Sequence, residues 1–177
     1  MVKFRIAGFE EDSIVDGPGL RFVIFFQGCP HQCPGCHNPE TWSKKGGRLL
    51  NIEEVINRIR QNPMCKAVTF SGGEPLAQAH AVAGLAERLK EEGYNIWCYT
   101  GFSWDIIERW LKDSPDTVSI RKLLKNIDVM VDGAFLQEEK SLDLKYRGSR
   151  NQRIIDVRCS LTYGRAIEWI DPDEVER

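Results

Sequence analysis

Residues 28–42 read GCPHQCPGCHNPETW, and three thiols, Cys29, Cys33 and Cys36, stand in them at the spacing C-x3-C-x2-C. Thiolate sulfur is the soft donor that both iron–sulfur clusters and zinc take. Gly28, Pro30, Pro34 and Gly35 oppose a helix and suit a loop that wraps a bulky group. Three close thiols without a fourth leave one iron of a four-iron cube open to a small molecule. The competing reading is a structural zinc site, with His31, His37 or the distant Cys65 as fourth ligand. Zinc sites pair one C-x2-C knuckle with a second knuckle or a histidine pair, and the sequence offers neither. Spacing alone therefore favours the cluster and leaves zinc open.

Working outward, the stretch before the loop, Arg21-Phe22-Val23-Ile24-Phe25-Phe26, is nearly continuous in β-branched and aromatic residues. It reads as a buried strand of a parallel sheet. Asp16-Gly17-Pro18-Gly19 ahead of it is a dense turn signal, and alternation over residues 2–7 suggests a short strand or extended arm. Downstream, Asn51 caps a helix with Glu54 three residues on, and Ile52, Val55, Ile56 and Ile59 form its apolar stripe. A strand at residues 67–70 leads into Ser71-Gly72-Gly73-Glu74, and Pro75 suits the first helical position. Val82, Leu85, Ala86 and Leu89 repeat the stripe, and Gly93 ends it. Strands follow at 95–99 and 128–131, with helices at 104–111 and from Ser114-Pro115 between them. A fifth strand is expected at 153–157, another at 161–170, and an acidic end that frays.

This βαβα order, with the chemistry-bearing loops at the strands' C-terminal ends, predicts an α/β fold with a mostly parallel sheet. A closed eight-unit barrel needs roughly 250 residues, so 177 residues predict a single domain, 1–177, built as a partial, open β/α barrel. A hydrophobic content of 42% and a charged content of 28% describe an ordinary globule, and the net charge of −2 points to neither nucleic acid nor anionic membrane as partner. No apolar run suits a signal peptide or a membrane span, so a cytoplasmic home with reduced thiols is expected. Cys65, Cys98 and Cys159, in apolar surroundings, read as small buried hydrophobes.

Taken together, C-x3-C-x2-C after one strand and Gly72-Gly73-Glu74-Pro75 after the next resemble the radical S-adenosylmethionine enzymes. Residues 16–21, DGPGLR, with Cys36-His37-Asn38 and Thr41-Trp42, are similar to glycyl-radical-enzyme activating enzymes. Val131-Asp132-Gly133 and residues 146–152, YRGSRNQ, resemble those that serve anaerobic ribonucleotide reductase, as does the lack of a ferredoxin-like insert. The resemblance covers residues 12–158. Two positions depart from relatives: Gly35, before the third cysteine, offers no aromatic ring, and Ala134 offers no cation.

The resemblance implies a radical SAM fold in which Cys29, Cys33 and Cys36 hold a 4Fe–4S cluster whose open iron binds S-adenosylmethionine. It implies an electron from a flavodoxin- or ferredoxin-like donor, reductive cleavage of the sulfonium, and a 5′-deoxyadenosyl radical. That radical takes hydrogen from a glycine Cα of the partner, a glycyl radical enzyme of the anaerobic ribonucleoside-triphosphate reductase type. No side chain acts as acid or base. The cofactor-binding set is His37, Asn38, Ser71, Gly72, Gly73, Glu74, Thr100 and Asp132: the Gly-Gly-Glu loop takes the amino group, and Thr100 and Asp132 face the ribose, the carboxylate and a monovalent cation. Taken alone, the same residues are equally a strand-to-helix turn and loop polar groups. The basic segment Lys145, Arg147, Arg150, Arg153 and Arg158 is a solvated face or a docking surface. Two other functions stay open: activation of a different glycyl radical enzyme or small-molecule chemistry, and a zinc-binding adaptor without catalysis.

Overall fold

A computed structural model describes residues 2–172 of the chain. The elements run β1 (Lys3–Ser13), β2 (Arg21–Phe26), β3 (Arg48–Asn51), α1 (Ile52–Arg60), β4 (Ala67–Gly72), α2 (Ala79–Glu91), β5 (Asn95–Tyr99), α3 (Trp104–Asp113), α4 (Thr117–Leu124), β6 (Val129–Asp132), β7 (Arg153–Asp156) and α5 (Val157–Tyr163). The strands form one sheet in the order β3-β1-β2-β4-β5-β6-β7. The central strands β2, β4, β5 and β6 pair in parallel. β1, β3 and β7 join antiparallel, and because β3 pairs with β1, only β1 and β7 run against the rest. The sheet is open, with β3 and β7 at its edges.

The period-2 alternation of the central strands divides the interior into two layers. Phe22, Ile24 and Phe26, Val68 and Phe70, Ile96 and Cys98, and Met130 face the helices. There they meet Val55, Ile56 and Ile59 of α1, Val82, Leu85 and Leu89 of α2, and Ile120, Leu123 and Leu124 of α4. Each fully buried aliphatic or aromatic side chain contributes about 1.5–3 kcal/mol relative to exposure, so this layer carries the fold. Trp97, Val129 and Val131 line the other, concave face with Tyr99, Tyr146, Ile154 and Trp169.

Most expected elements form. Asn51 and Glu54 make the reciprocal capping box of α1, β5 has the expected limits, and Gly93, at φ +80°, follows α2. Pro75 opens a short 3-10 turn, Pro75–Gln78, and α2 starts after it. β1 extends to Ser13 because β2 pairs with it as far as Ser13–Arg21, and its start, Lys3–Ile6, also pairs with β3, a strand with no counterpart in the sequence reading. The expected strand at 161–170 does not form: residues 161–163 are the end of α5, and the rest is turn and irregular backbone. Asp156 caps α5 by accepting from the Cys159 amide (2.7 Å), and Gly164 closes it in the left-handed conformation. Strand-like pairing survives there only as one bridge, Ile155 to Glu168. The acidic end beyond residue 172 lies outside the described residues. Cys65 and Cys98 are fully buried as expected, whereas Cys159 is half-exposed. Among the described residues no helix is long and apolar enough to cross a membrane.

The C-terminal segment packs against the strand starts. The Trp169 ring meets Trp97 edge-on at 5.1 Å, beside Arg21, which lies at the beginning of β2. Arg21 is 1% exposed and donates to Thr69 Oγ1 (2.7 Å), to the carbonyls of Val68 and Pro18 and to Asn95 Oδ1, with its guanidinium over Trp97. Burial lowers its pKa to about 10. This end of the concave face is therefore filled, and the strand C-termini at the other end stay accessible.

Candidate functional site

A cavity of about 220 Å³ opens at the C-terminal ends of β2, β4, β5 and β6. Cys29, Cys33 and Cys36 line it together with Ser71, Gly72 and Gly73. Phe25, Tyr99 and Thr100 come up from the strands, and Phe135 and Gln152 come from the loop after β6. His37 and Asn38 also reach it, with the His37 ring against Phe135 at 5.4 Å.

Backbone pairing fixes the cysteine loop. The Gly28 amide donates to Thr41 O (2.7 Å) and the Cys29 amide to Trp42 O (3.1 Å), while the Asn38 amide points at Cys36 Sγ (3.4 Å). Gly28 O accepts from the Glu74 amide (2.9 Å), which locks the loop to the Gly-Gly-Glu turn. Gly72 has no substitute: its φ is +86°, and a Cβ there would meet the backbone of Phe25 at 2.6 Å. All six cysteines are free thiols. Burial pushes the Cys29 thiol above its usual range, opposed by the amides of His31 and Gln32.

Two of the expected site residues, Glu74 and Asp132, have their carboxylates engaged by protein donors. Glu74 is fully buried and does not line the cavity. Its carboxylate accepts from the Leu76 amide (3.0 Å), the Thr100 hydroxyl (2.9 and 3.0 Å) and the Gly101 amide (2.9 Å), and it lies 2.9 Å from His31 Nε2. These contacts tie the turn after β4 to the end of β5 and to the cysteine loop. Asp132 is 1% exposed and is likewise held from the cavity. It accepts from the Trp104 amide at the start of α3 (2.7 Å) and from Arg153 Nη2 (2.6 Å) and Nε (3.1 Å). That hydrogen bond raises the pKa of Arg153, so this member of the basic segment is paired with a buried carboxylate while staying partly exposed. Thr100 does line the cavity, with its hydroxyl directed to Glu74.

Sequence reasoning weighed His31 as a zinc ligand or a surface residue and missed its role. Its ring lies against Phe102 (4.3 Å) and over Gly101, where a Cβ would stand 2.4 Å from the imidazole. Tyr99 is also new. Its hydroxyl donates to Tyr146 O (2.7 Å), and the alternation of β5, which puts Trp97 and Tyr99 on one face, was the signal that could have found it. Gln152 closes the wall: its amide nitrogen donates to Gly133 O (3.0 Å), and its oxygen accepts from the Gly148 (2.9 Å) and Ser149 (3.2 Å) amides. Beside Gly35, the space an aromatic neighbour would need is taken by Gln137, 2.8 Å from a Cβ built there.

A family model described as a 4Fe-4S single cluster domain matches residues 15–155. The "anaerobic ribonucleoside-triphosphate reductase-activating protein" of Vibrio cholerae is 38% identical over 150 residues, covering 80% of this chain and 91% of that protein. The chain belongs to this activating-protein family. The Escherichia coli (strain K12) member is 32% identical over 154 residues, covering 82% and 94%. A "pyruvate formate-lyase-activating enzyme" of Clostridium pasteurianum is 41% identical over 118 residues, 63% of this chain and 50% of that enzyme. The chain is thus an iron–sulfur protein of the activating-enzyme type.

The donor set fits a cluster better than one ion. A tetrahedral zinc would draw sulfurs to roughly 3.8 Å of one another. Among the described residues, no three His, Cys, Asp or Glu side chains converge as ligands of a single ion. Three free thiols spread along one side of a shared cavity suit a cube, whose irons are separate points of attachment.

Proposed function

We propose that this chain is the activating enzyme of an anaerobic ribonucleoside-triphosphate reductase. It uses a 4Fe–4S cluster and S-adenosylmethionine to place a glycyl radical on that partner. The observation that carries the reading is the cavity itself: three free cysteines and the Ser71–Gly73 turn line it together, at the C-terminal ends of the parallel strands. The open sheet with its outer helices is read as a radical SAM partial barrel, residues 1–177 as one domain, and the cytoplasm as the place of action.

Cys29, Cys33 and Cys36 would hold the cluster, which when loaded supplies the one-electron chemistry that splits the sulfonium. The chain's own residues do the rest. Gly72 and Gly73 bring bare backbone to the cavity edge, so a zwitterionic amino acid group meets amides and carbonyls. Ser71, Asn38 and His37 add polar contacts on the rim. Phe25, Tyr99 and Phe135 make the apolar surfaces that exclude water from a reactive carbon centre. Glu74 and Asp132 act from behind, Glu74 by fixing Thr100, Gly101 and His31, and Asp132 by fixing α3 to β7. The described C-terminal residues fill the opposite end, which leaves the mouth free for a macromolecular glycine loop.

The test is anaerobic incubation with S-adenosylmethionine, reductant and the reductase, read by electron paramagnetic resonance. A glycyl doublet on the reductase is expected. No radical on a competent reductase would defeat the reading, and a doublet on pyruvate formate-lyase alone would transfer the chain to that partner.

A further inference from the structure

We propose that Lys44, Lys45 and Arg48 form the landing surface for the electron donor, a small acidic redox protein. The proposal rests on the reading that the cysteine cavity holds a cluster reduced from outside. The position of these residues carries it. The Trp42 carbonyl accepts from the Cys29 amide (3.1 Å), and Gln27 Nε2 clamps the same segment through Glu40 O (3.0 Å) and Ser43 O (2.7 Å). The Lys44 side chain lies 3.4 Å from a Cβ built on Gly28. The segment carrying the cations is therefore fastened to the backbone of the first cysteine.

Charge makes the second argument. Lys44, Lys45 and Arg48 are exposed, and none forms an ion pair among the described residues. Arg5 adds a fourth cation through its contact with Gly46 O (3.2 Å). Elsewhere Arg58, Arg60, Arg88, Lys90, Lys122 and Arg153 each face a carboxylate. An exposed lysine pair is ordinarily a solvated face. Here Lys44 packs against Gly28, the neighbour of Cys29, and a field that reaches about 8 Å at physiological salt steers an acidic donor toward that loop. The other flank of the cysteine loop is walled by Gln137 at Gly35. In the step itself the donor loses one electron and the cluster gains one, with no bond made and no proton moved.

The experiment uses the full chain with its cluster reconstituted and, as probe, a flavodoxin of strongly negative charge photoreduced to the hydroquinone. Cluster bleaching is followed by stopped flow over a salt series. For the wild type the rate falls with salt. K44E/K45E/R48E is expected to slow reduction at low salt about tenfold or more and to flatten the salt dependence. K44Q/K45Q/R48Q should fall between, which guards against a misfolded reversal, and K112E/K125E on the outer helices should match the wild type. Dithionite-driven reduction should be unchanged in every variant. Equal rates with the ridge reversed, equal loss at the control positions, or a matching loss with dithionite would each overturn the proposal. If the wild type bleaches normally but does not cleave S-adenosylmethionine, the proposed function fails while the docking result still stands.

Discussion

His31 Nε2 and Glu74 Oε2 lie 2.9 Å apart, joining the cysteine loop to the strand ends on which the cavity is built. The histidine side chain is 16% exposed and the carboxylate is sealed, so the contact works in a partly dry environment where a hydrogen bond to a charged group is worth about 1.5–3 kcal/mol. Through Glu74, His31 also senses Thr100 and the Gly101 amide. One side chain therefore links the cysteine loop to the ends of β4 and β5.

Removing each end should have different consequences. Glu74→Ala leaves the Leu76 and Gly101 amides and the Thr100 hydroxyl without their acceptor, and stability should fall by about 3–5 kcal/mol. His31→Ala should shift the melting temperature by only a few degrees. It should nevertheless change the electron paramagnetic resonance spectrum of the reduced cluster on adding S-adenosylmethionine, and weaken that ligand several-fold. His31→Asn, which can still donate to Glu74, should restore part of both. An H31A spectrum identical to wild type with and without ligand would show that the contact is only structural.

The six cysteines should separate into two classes. Cys29→Ser, Cys33→Ser or Cys36→Ser should each abolish most bound iron and sulfide and the brown colour after anaerobic reconstitution. Cys65→Ala, Cys98→Ala and Cys159→Ala should keep the metal. Cys98→Ser should lower stability by about 1–3 kcal/mol, because a hydroxyl would replace a fully buried thiol. Metal analysis and thermal unfolding check both halves. Retention of a single zinc by the reconstituted wild type would contradict the cluster.

Gly101→Ala tests the close packing of His31 against the cavity wall. A methyl group there would stand 2.4 Å from the His31 ring, so the imidazole must leave Glu74. The variant should fold, because the far end of a side chain can move, and should reproduce the H31A spectrum. Gly72→Ala meets backbone at 2.6 Å and a positive φ instead, and should express poorly or lose more than about 2 kcal/mol. Parallel unfolding curves distinguish the two.

Asp132 and Arg153 should behave as a structural pair. Arg153 is 34% exposed and Asp132 1%, so solvent screens one side. Asp132→Ala is expected to cost about 2–3 kcal/mol, below the full cost of breaking a deeply buried pair. The folded D132A protein should bind S-adenosylmethionine with less than about threefold change. A large loss of affinity without a loss of stability would return Asp132 to the ligand. A double-mutant cycle with Arg153→Ala isolates their coupling.

Local pattern determined much of this protein. The strand at 21–26, the capping box at Asn51, the helical stripes and the cysteine spacing each depend on residues a few positions apart, whose periodicity states which face is buried. The same locality explains the failure at 161–170: Ser160 and Thr162 argue weakly for a helix, and the decisive terms are the Asp156 cap and the left-handed Gly164. The composition of the loops also marked where the cavity lies, since glycines and polar residues followed every parallel strand.

Only the tertiary structure decided what the acidic residues do. Glu74 meets His31 across 43 positions, and Asp132 meets Arg153 across 21. A carboxylate in a loop looks the same in sequence whether it faces a ligand or a buried donor. The difference is set by which groups the sheet brings within about 3 Å, and by the high cost of leaving a buried charge without donors. That balance gave both acids their partners within the protein and made His31 the link between the cysteine loop and the strand ends.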